Sequence, residues 1–234
     1  VVLFALAPRA VATHVAHGGV AYAIVDGAFA RLEGTRATPL GRVADAPLSF
    51  GGAALHNVAN CLGAAAAAWA LGIPDHAVTI ALHAFGAADN PGRGRVVDLP
   101  TGARALVDFA HNADGYRNLF ALARALAPTG RLFLTMMVAG DRTDEDVAGI
   151  AAEIALHRPA TVFLFDTPSL LRGRPAGEMP ALIARHLAAL SIPTATADSE
   201  PAAVAAALAA TAPGDLLLVA PNIDRPGVAA LLGS

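Results

Sequence analysis

The stretch DFAHNADGYRNL, residues 108–119, decides the fold. It follows the apolar run ARALV (103–107), which reads as a buried strand, and it leads into GYRNLFALARAL (115–126), which reads as a helix. An acid, an imidazole and an amide therefore stand together where strand gives way to helix, in a chain with only 15% charged residues. Packing does not ask for that. Asp114 reads as the cap of the helix, which leaves Asp108 and His111 with no structural task and points to function. A carboxylate at a strand end can accept hydrogen bonds from ribose hydroxyls, while His111 and Asn112 can approach phosphates.

Outward from this junction the pattern repeats. GRVVDL (94–99), RLFLTMMV (131–138), ATVFLF (160–165), PTATA (193–197) and DLLLVA (215–220) read as strands. Helical patterns alternate with them: TDEDVAGIAAEIALH (143–157), AGEMPALIARHLAAL (176–190) and SEPAAVAAALAAT (199–211). Thr143 opens a capping box, and Ser199-Glu200-Pro201 starts a helix cleanly. This alternation predicts an α/β fold with a mostly parallel, Rossmann-like sheet covered by helices on both faces. In such sheets sites form outside the carboxyl ends of the strands, where both DFAHN and AGDR (139–142) fall.

Residues 1–88 read differently. VVLFAL is a short strand, and VAYAIVDGAFARLEG (20–34) is a hairpin turning at Asp26-Gly27. A helix is expected from His56 to Leu71, stopped at Gly72, and a second one opens at Pro74. ADNPGRG (88–94) punctuates the chain and predicts a boundary between units 1–88 and 89–234.

Composition excludes several classes. With 55% hydrophobic residues the chain is not disordered, and a net charge of −3 with no basic block argues against nucleic acid. All 16 basic residues are Arg, so no Walker A loop exists here, because its Lys is what reaches the phosphates. No Gly-x-Gly-x-x-Gly follows a strand, which removes the dinucleotide-binding reading. The one cysteine, Cys61, forbids an internal disulfide and reads as a small buried helix residue. The uncharged run 57–74 is long enough for a membrane span but is rich in Ala and Gly with two Asn, so no membrane association is expected. His14 and His17 lack further ligands nearby, so no metal site is expected. A chain opening at Val1 inside an apolar run, with no signal peptide, is expected to be a piece of something longer.

The remaining candidates each carry two readings. Asn57 and Asn60 share a face of the first helical turn and can meet a nucleobase edge, or Asn57 simply caps the helix. Arg93 can clamp a phosphate or be a solvated linker residue. Asp141 and Arg142 can recognise the ammonium and carboxylate of an amino acid, or belong with the acids that begin the next helix. LRGRP (171–175) reads as a solvated basic turn.

LSFGG (48–52), HNVANCLGAAAAAWALGIP (56–74), NPGR (90–93) and DFAHNADGYRNL together resemble the Mur ligase superfamily. AGDRTDEDV (139–147) and LRGRPAGEMPALI (171–183) are similar to the Mur-like region of cyanophycin synthetases. The resemblance implies the end of a central ATP-binding domain followed by the carboxy-terminal Rossmann-like domain. It places Asn57 and Asn60 at adenine, Asp108 at the ribose, and Arg93, His111 and Asn112 at the phosphates. Asp141 and Arg142 would face the incoming amino acid. The implied reaction activates a carboxylate as an acyl phosphate with ATP and Mg²⁺, then joins it to an amino acid, as in adding arginine to poly-aspartate. Implied partners are that amino acid, a polymeric or peptide acceptor, and upstream domains of the same cytoplasmic protein, which would hold the Mg²⁺ ligands. No catalytic or metal-binding residue is assigned within the chain, which is expected to be inactive alone; a homo-oligomer stays open. The competing class is a non-catalytic nucleotide-binding module. Departures are Ala113 in place of the usual Pro, Met136 to Ala139 leading into Gly140, and the tail VAPNIDRPGVAALLGS (219–234).

Overall fold

A computed structural model describes residues 1–90, 92–220 and 223–233 of the 234-residue chain. Pro91 of the linker, and Pro221-Asn222 and Ser234 of the tail, lie outside the described residues. The chain divides into two compact units, Val1–Asn90 and Pro91–Ser234.

The first unit contains β1 (Val2–Phe4), α1 (Ala12–Ala16), β2 (Val20–Val25), β3 (Ala28–Glu33), β4 (Arg36–Arg42), α2 (Leu55–Ala70) and α3 (Asp75–Ala84). Its strands form one sheet in the order β1-β2-β3-β4, parallel between β1 and β2 and antiparallel elsewhere. The β2–β3 hairpin turns at Asp26 (φ 48°) and Gly27 (φ 75°), the doubly positive pattern whose twist suits adjoining strands. Tyr22, Phe29 and Leu40 from the sheet and Val58, Leu62 and Ala65 from α2 make its core, and Cys61 is buried with them. Gly72, at φ 82°, ends α2 as expected, and Pro74 precedes α3. The sequence reading missed α1 and β4.

The second unit runs β5 (Arg95–Asp98), β6 (Arg104–Val107), α4 (Ala113–Leu126), β7 (Leu132–Met136), α5 (Asp144–Leu156), β8 (Thr161–Leu164), α6 (Glu178–Ala189), β9 (Thr194–Thr196), α7 (Glu200–Ala210), β10 (Leu216–Val219) and α8 (Arg225–Leu232). The sheet order is β5-β6-β10-β7-β8-β9; only the edge strand β5 is antiparallel. The central strands are buried throughout, which is why LFLTM and LLLV read as unbroken apolar runs rather than alternating ones. Phe133, Phe163, Leu217 and Val219 pack on Ala203, Val204 and Ala207 of α7 and Val228 of α8. Strands alternating with helices thus give the α/β architecture that the patterning predicts. Helix α8 was not anticipated, although Asp224 accepts from the Gly227 N–H at 3.0 Å and Pro226 sits in its first turn.

The amino ends of β7 and β10 are tied by an ion pair. Arg131 donates to Asp215 at 2.6 Å, and the Asp215 carboxylate also accepts from the Arg131 and Ala212 N–H groups. Burial pushes the Asp215 carboxyl up, but these donors outweigh it and hold it below its ordinary value. Among the described residues no helix is long and apolar enough to cross a membrane.

Candidate functional site

Strand β6 ends at Val107, and the Asp108 N–H continues the ladder by donating to the Val219 carbonyl at 3.0 Å. This leaves the Asp108 side chain at the strand's carboxyl end, half-buried, where its Oδ2 accepts from the Gly94 N–H at 3.0 Å. That bond fastens the segment entering β5 to the end of β6 and brings Arg93 over the Phe109 ring, 5.0 Å from its centroid. The Phe109 and His111 rings follow at 5.3 Å. His111 Nδ1 lies 3.0 Å from the Phe109 carbonyl, and a carbonyl only accepts, so Nδ1 carries the proton and Nε2 is left for another partner.

Two expectations are corrected here. Asp108 and His111 do have structural hydrogen bonds, a long-range one and a local one that no periodicity reveals. The cap of α4 is Asn112, not Asp114: Asn112 Oδ1 accepts from the Gly115 N–H at 2.8 Å. Asp114 instead pairs with Arg117 one turn on. Asn112 keeps its amide N–H groups for another partner, since its cap uses only the oxygen.

One corner thus gathers Arg93, Asp108, His111 and Asn112 at the amino end of α4, where the helix dipole favours an anion. The arrangement offers a cation and amide donors to an anion, and a carboxylate and the His111 Nε2 lone pair to hydroxyl or N–H donors. Asn57 and Asn60 lie in the first unit, on α2. Helix α2 has Ala54 at its cap with no side-chain bond, so Asn57 is no cap. Its Nδ2 donates to the Leu48 carbonyl at 3.0 Å, which leaves Oδ1 as acceptor, and Asn60 is exposed.

Asp141 and Arg142 follow β7 in the second unit. Val219 pairs with both Val107 and Thr135, so β6 and β7 flank β10 and their ends lie about 10 Å apart, two strand spacings. Thr143 then caps α5 in a capping box with Asp146, as its sequence predicts. The Thr143 backbone N–H and hydroxyl hold the Asp146 carboxyl below its ordinary value. Arg174, from the turn read as solvated, was missed: it hydrogen-bonds the backbone on both sides of Asp141. No local signal in LRGRP marks that contact. Among the described residues no three of His, Cys, Asp and Glu are grouped to hold a metal ion.

A sheet of this order with its polar corner at the strand ends defines a mostly parallel, Rossmann-like α/β unit. The family model for the "Mur ligase, glutamate ligase domain" matches residues 92–223, and the chain belongs to the Mur ligase family. It is 31% identical over 179 residues to the cyanophycin synthetase of Trichormus variabilis, covering 74% of this chain and 19% of that protein. It is 34% identical over 197 residues to the UDP-N-acetylmuramoyl-L-alanyl-D-glutamate--2,6-diaminopimelate ligase of Gloeobacter violaceus, covering 81% and 37%. The chain therefore spans well under half the length of these relatives. Among solved structures, the murein peptide ligase mpl of Psychrobacter arcticus aligns with TM-score 0.63 at 14% identity, over 100% of this chain and 46% of that one. E. coli FolC in complex with ADP aligns with TM-score 0.59 at 21% identity, over 94% and 49%. Those two likenesses concern the fold.

Proposed function

We propose that the chain is the carboxy-terminal portion of an ATP-dependent amide-forming ligase, comprising the end of the central ATP-binding domain and the carboxy-terminal domain. The observation that carries this is the Asp108–Gly94 bond, which assembles Arg93 and His111 beside the amino end of α4. In this reading the Asp108 carboxylate accepts from the ribose hydroxyls of ATP. Arg93 and the Asn112 amide donate to its phosphates with His111 alongside, and in the first unit Asn57 and Asn60 are the candidates for the adenine edge. Arg93 would neutralise charge as the γ-phosphoryl passes to a carboxylate, giving an acyl phosphate and ADP. An amine held by Asp141 and Arg142 then attacks that carbonyl, forming the amide and releasing phosphate. Mg²⁺, supplying charge neutralisation at the phosphates, finds its ligands upstream of this chain in this reading.

For the substrates we favour arginine joined to a poly-aspartate acceptor, supported by the similarity to cyanophycin synthetase and by the AGDRTDEDV and LRGRPAGEMPALI stretches. The comparable identity to a diaminopimelate ligase supports a second reading with another amino acid. The test is ADP release by the natural full-length protein, given ATP, Mg²⁺ and single amino acids, with and without poly-aspartate. Release that needs both arginine and acceptor is the expected result. Release with a different amino acid keeps the ligase and replaces the substrate, and no release with any pair leaves a non-catalytic nucleotide-binding module.

A further inference from the structure

We infer that Arg174 is a positioning residue for amine recognition, locking the loop that carries Asp141 and Arg142. The inference rests on the reading of that loop given above. The Arg174 guanidinium donates from Nε to the Gly140 carbonyl at 2.8 Å and from Nη2 to the Arg142 carbonyl at 3.1 Å. One planar fork therefore holds the backbone on both sides of Asp141, and a rigid fork fixes both carbonyls at once. Its Nη1 donates to Glu178 Oε1 at 2.6 Å, which anchors the fork to the first turn of α6 and balances its charge. A guanidinium so occupied acts on the loop rather than on a substrate anion.

The surrounding backbone is built to bring Arg174 there. The Arg174 N–H closes a turn onto the Leu171 carbonyl at 3.0 Å, with positive φ at Arg172 (50°) and Gly173 (88°). A left-handed Arg is disfavoured and persists only where its surroundings hold it. The Gly140 N–H donates to the Leu170 carbonyl at 2.9 Å, and a Cβ at Gly140 would lie 1.9 Å from the Leu171 carbonyl oxygen. Two loops, one after β7 and one after β8, thus meet backbone to backbone. The far end of the first is fixed by the Thr143–Asp146 capping box. Asp141 is left between two anchored points, and small displacements of such a group cost much binding.

The experiment compares wild type, R174A and R174K in the natural full-length protein, reading hydrogen exchange over residues 139–143 and steady-state kinetics for each substrate. R174A is expected to speed exchange in that loop and raise KM for the amine roughly tenfold, with kcat and the KM for ATP changed less than about threefold. R174K should restore part of the amine KM, because an ammonium reaches one carbonyl but not both. If R174A does not fold, E178Q replaces it and should shift the same two readouts in the same direction. Unchanged amine KM in a protein that turns over, whatever the loop exchange does, overturns this inference and leaves the ligase reading intact. Absence of turnover in wild type with every amine overturns the ligase reading itself, and this inference with it.

Discussion

The Gly94 N–H donates to the Asp108 carboxylate at 3.0 Å, so one side chain both closes the β5–β6 edge and faces the carboxyl ends of the strands. The two duties separate by mutation. Asp108→Asn keeps an oxygen to accept from Gly94 but loses the charge, whereas Asp108→Ala loses both. Charged hydrogen bonds contribute about 1.5–3 kcal/mol, so Asp108→Ala should weaken ADP binding by roughly tenfold to a hundredfold in titration calorimetry. Asp108→Asn should fall between, with thermal stability close to wild type. Equal ADP affinity in all three proteins would remove Asp108 from the nucleotide site.

Asn112 offers a second separation, because the oxygen that caps α4 and the amide proposed for phosphate belong to one side chain. Asn112→Asp preserves the cap and removes the donor; Asn112→Ala removes both. Loss of a cap costs about 1 kcal/mol, so Asn112→Ala should lower the denaturation midpoint while Asn112→Asp does not. Both should weaken nucleotide binding. Asp114→Ala, by contrast, breaks only a surface pair and should leave the midpoint nearly unchanged.

These two residues also mark what the sequence makes legible. Local rules found the Asp26-Gly27 turn, the Thr143 and Ser199 caps and the alternation of buried strands with helices, because each is written in adjacent residues. They chose Asp114 over Asn112 for a cap because both types suit that position and only the backbone conformation at 112, φ −146° and ψ 171°, decides between them. They missed Arg174 because its acceptors lie 32 and 34 residues earlier. The Asp108–Gly94 bond is likewise long-range, and it was the family resemblance, not spacing, that joined Arg93 to Asp108.

Two glycines should answer oppositely to the same substitution. Gly140 faces the Leu171 carbonyl with no room for a methyl group, and overpacking against backbone typically costs about 1–3 kcal/mol. Gly149 lies exposed in the middle of α5, with nothing within 4 Å of a Cβ. Replacing it with Ala should stabilise by about 0.5–1 kcal/mol through the backbone freedom removed from the unfolded chain. Denaturant midpoints of Gly140→Ala and Gly149→Ala should therefore move in opposite directions. Midpoints that move together would show that the close approach at Gly140 is not maintained in solution.

Glu200 should give the fold a pH dependence of unusual sign for an acid. The residue is 3% exposed at the start of α7, and its Oε2 accepts from the N–H groups of both Ile223 at 2.7 Å and Asp224 at 2.5 Å. Its Oε1 is buried with no hydrogen-bond partner among the described residues. Burial raises the carboxyl above its ordinary value; the two N–H donors oppose this and the nearby Asp224 charge adds to it, with a net rise. A group raised in the folded state favours folding while protonated. Its contribution is full below the unfolded value, about 4.3, and is lost as pH climbs through the raised folded value. Glu200→Gln removes that titration while keeping an oxygen for the two N–H groups. The stability difference between Glu200→Gln and wild type, from denaturation at a series of pH values, should therefore grow in favour of the variant as pH rises above about 4.3, then level off. A difference that stays flat from acid to neutral pH would mean that the Glu200 carboxyl titrates alike in the folded and unfolded chain.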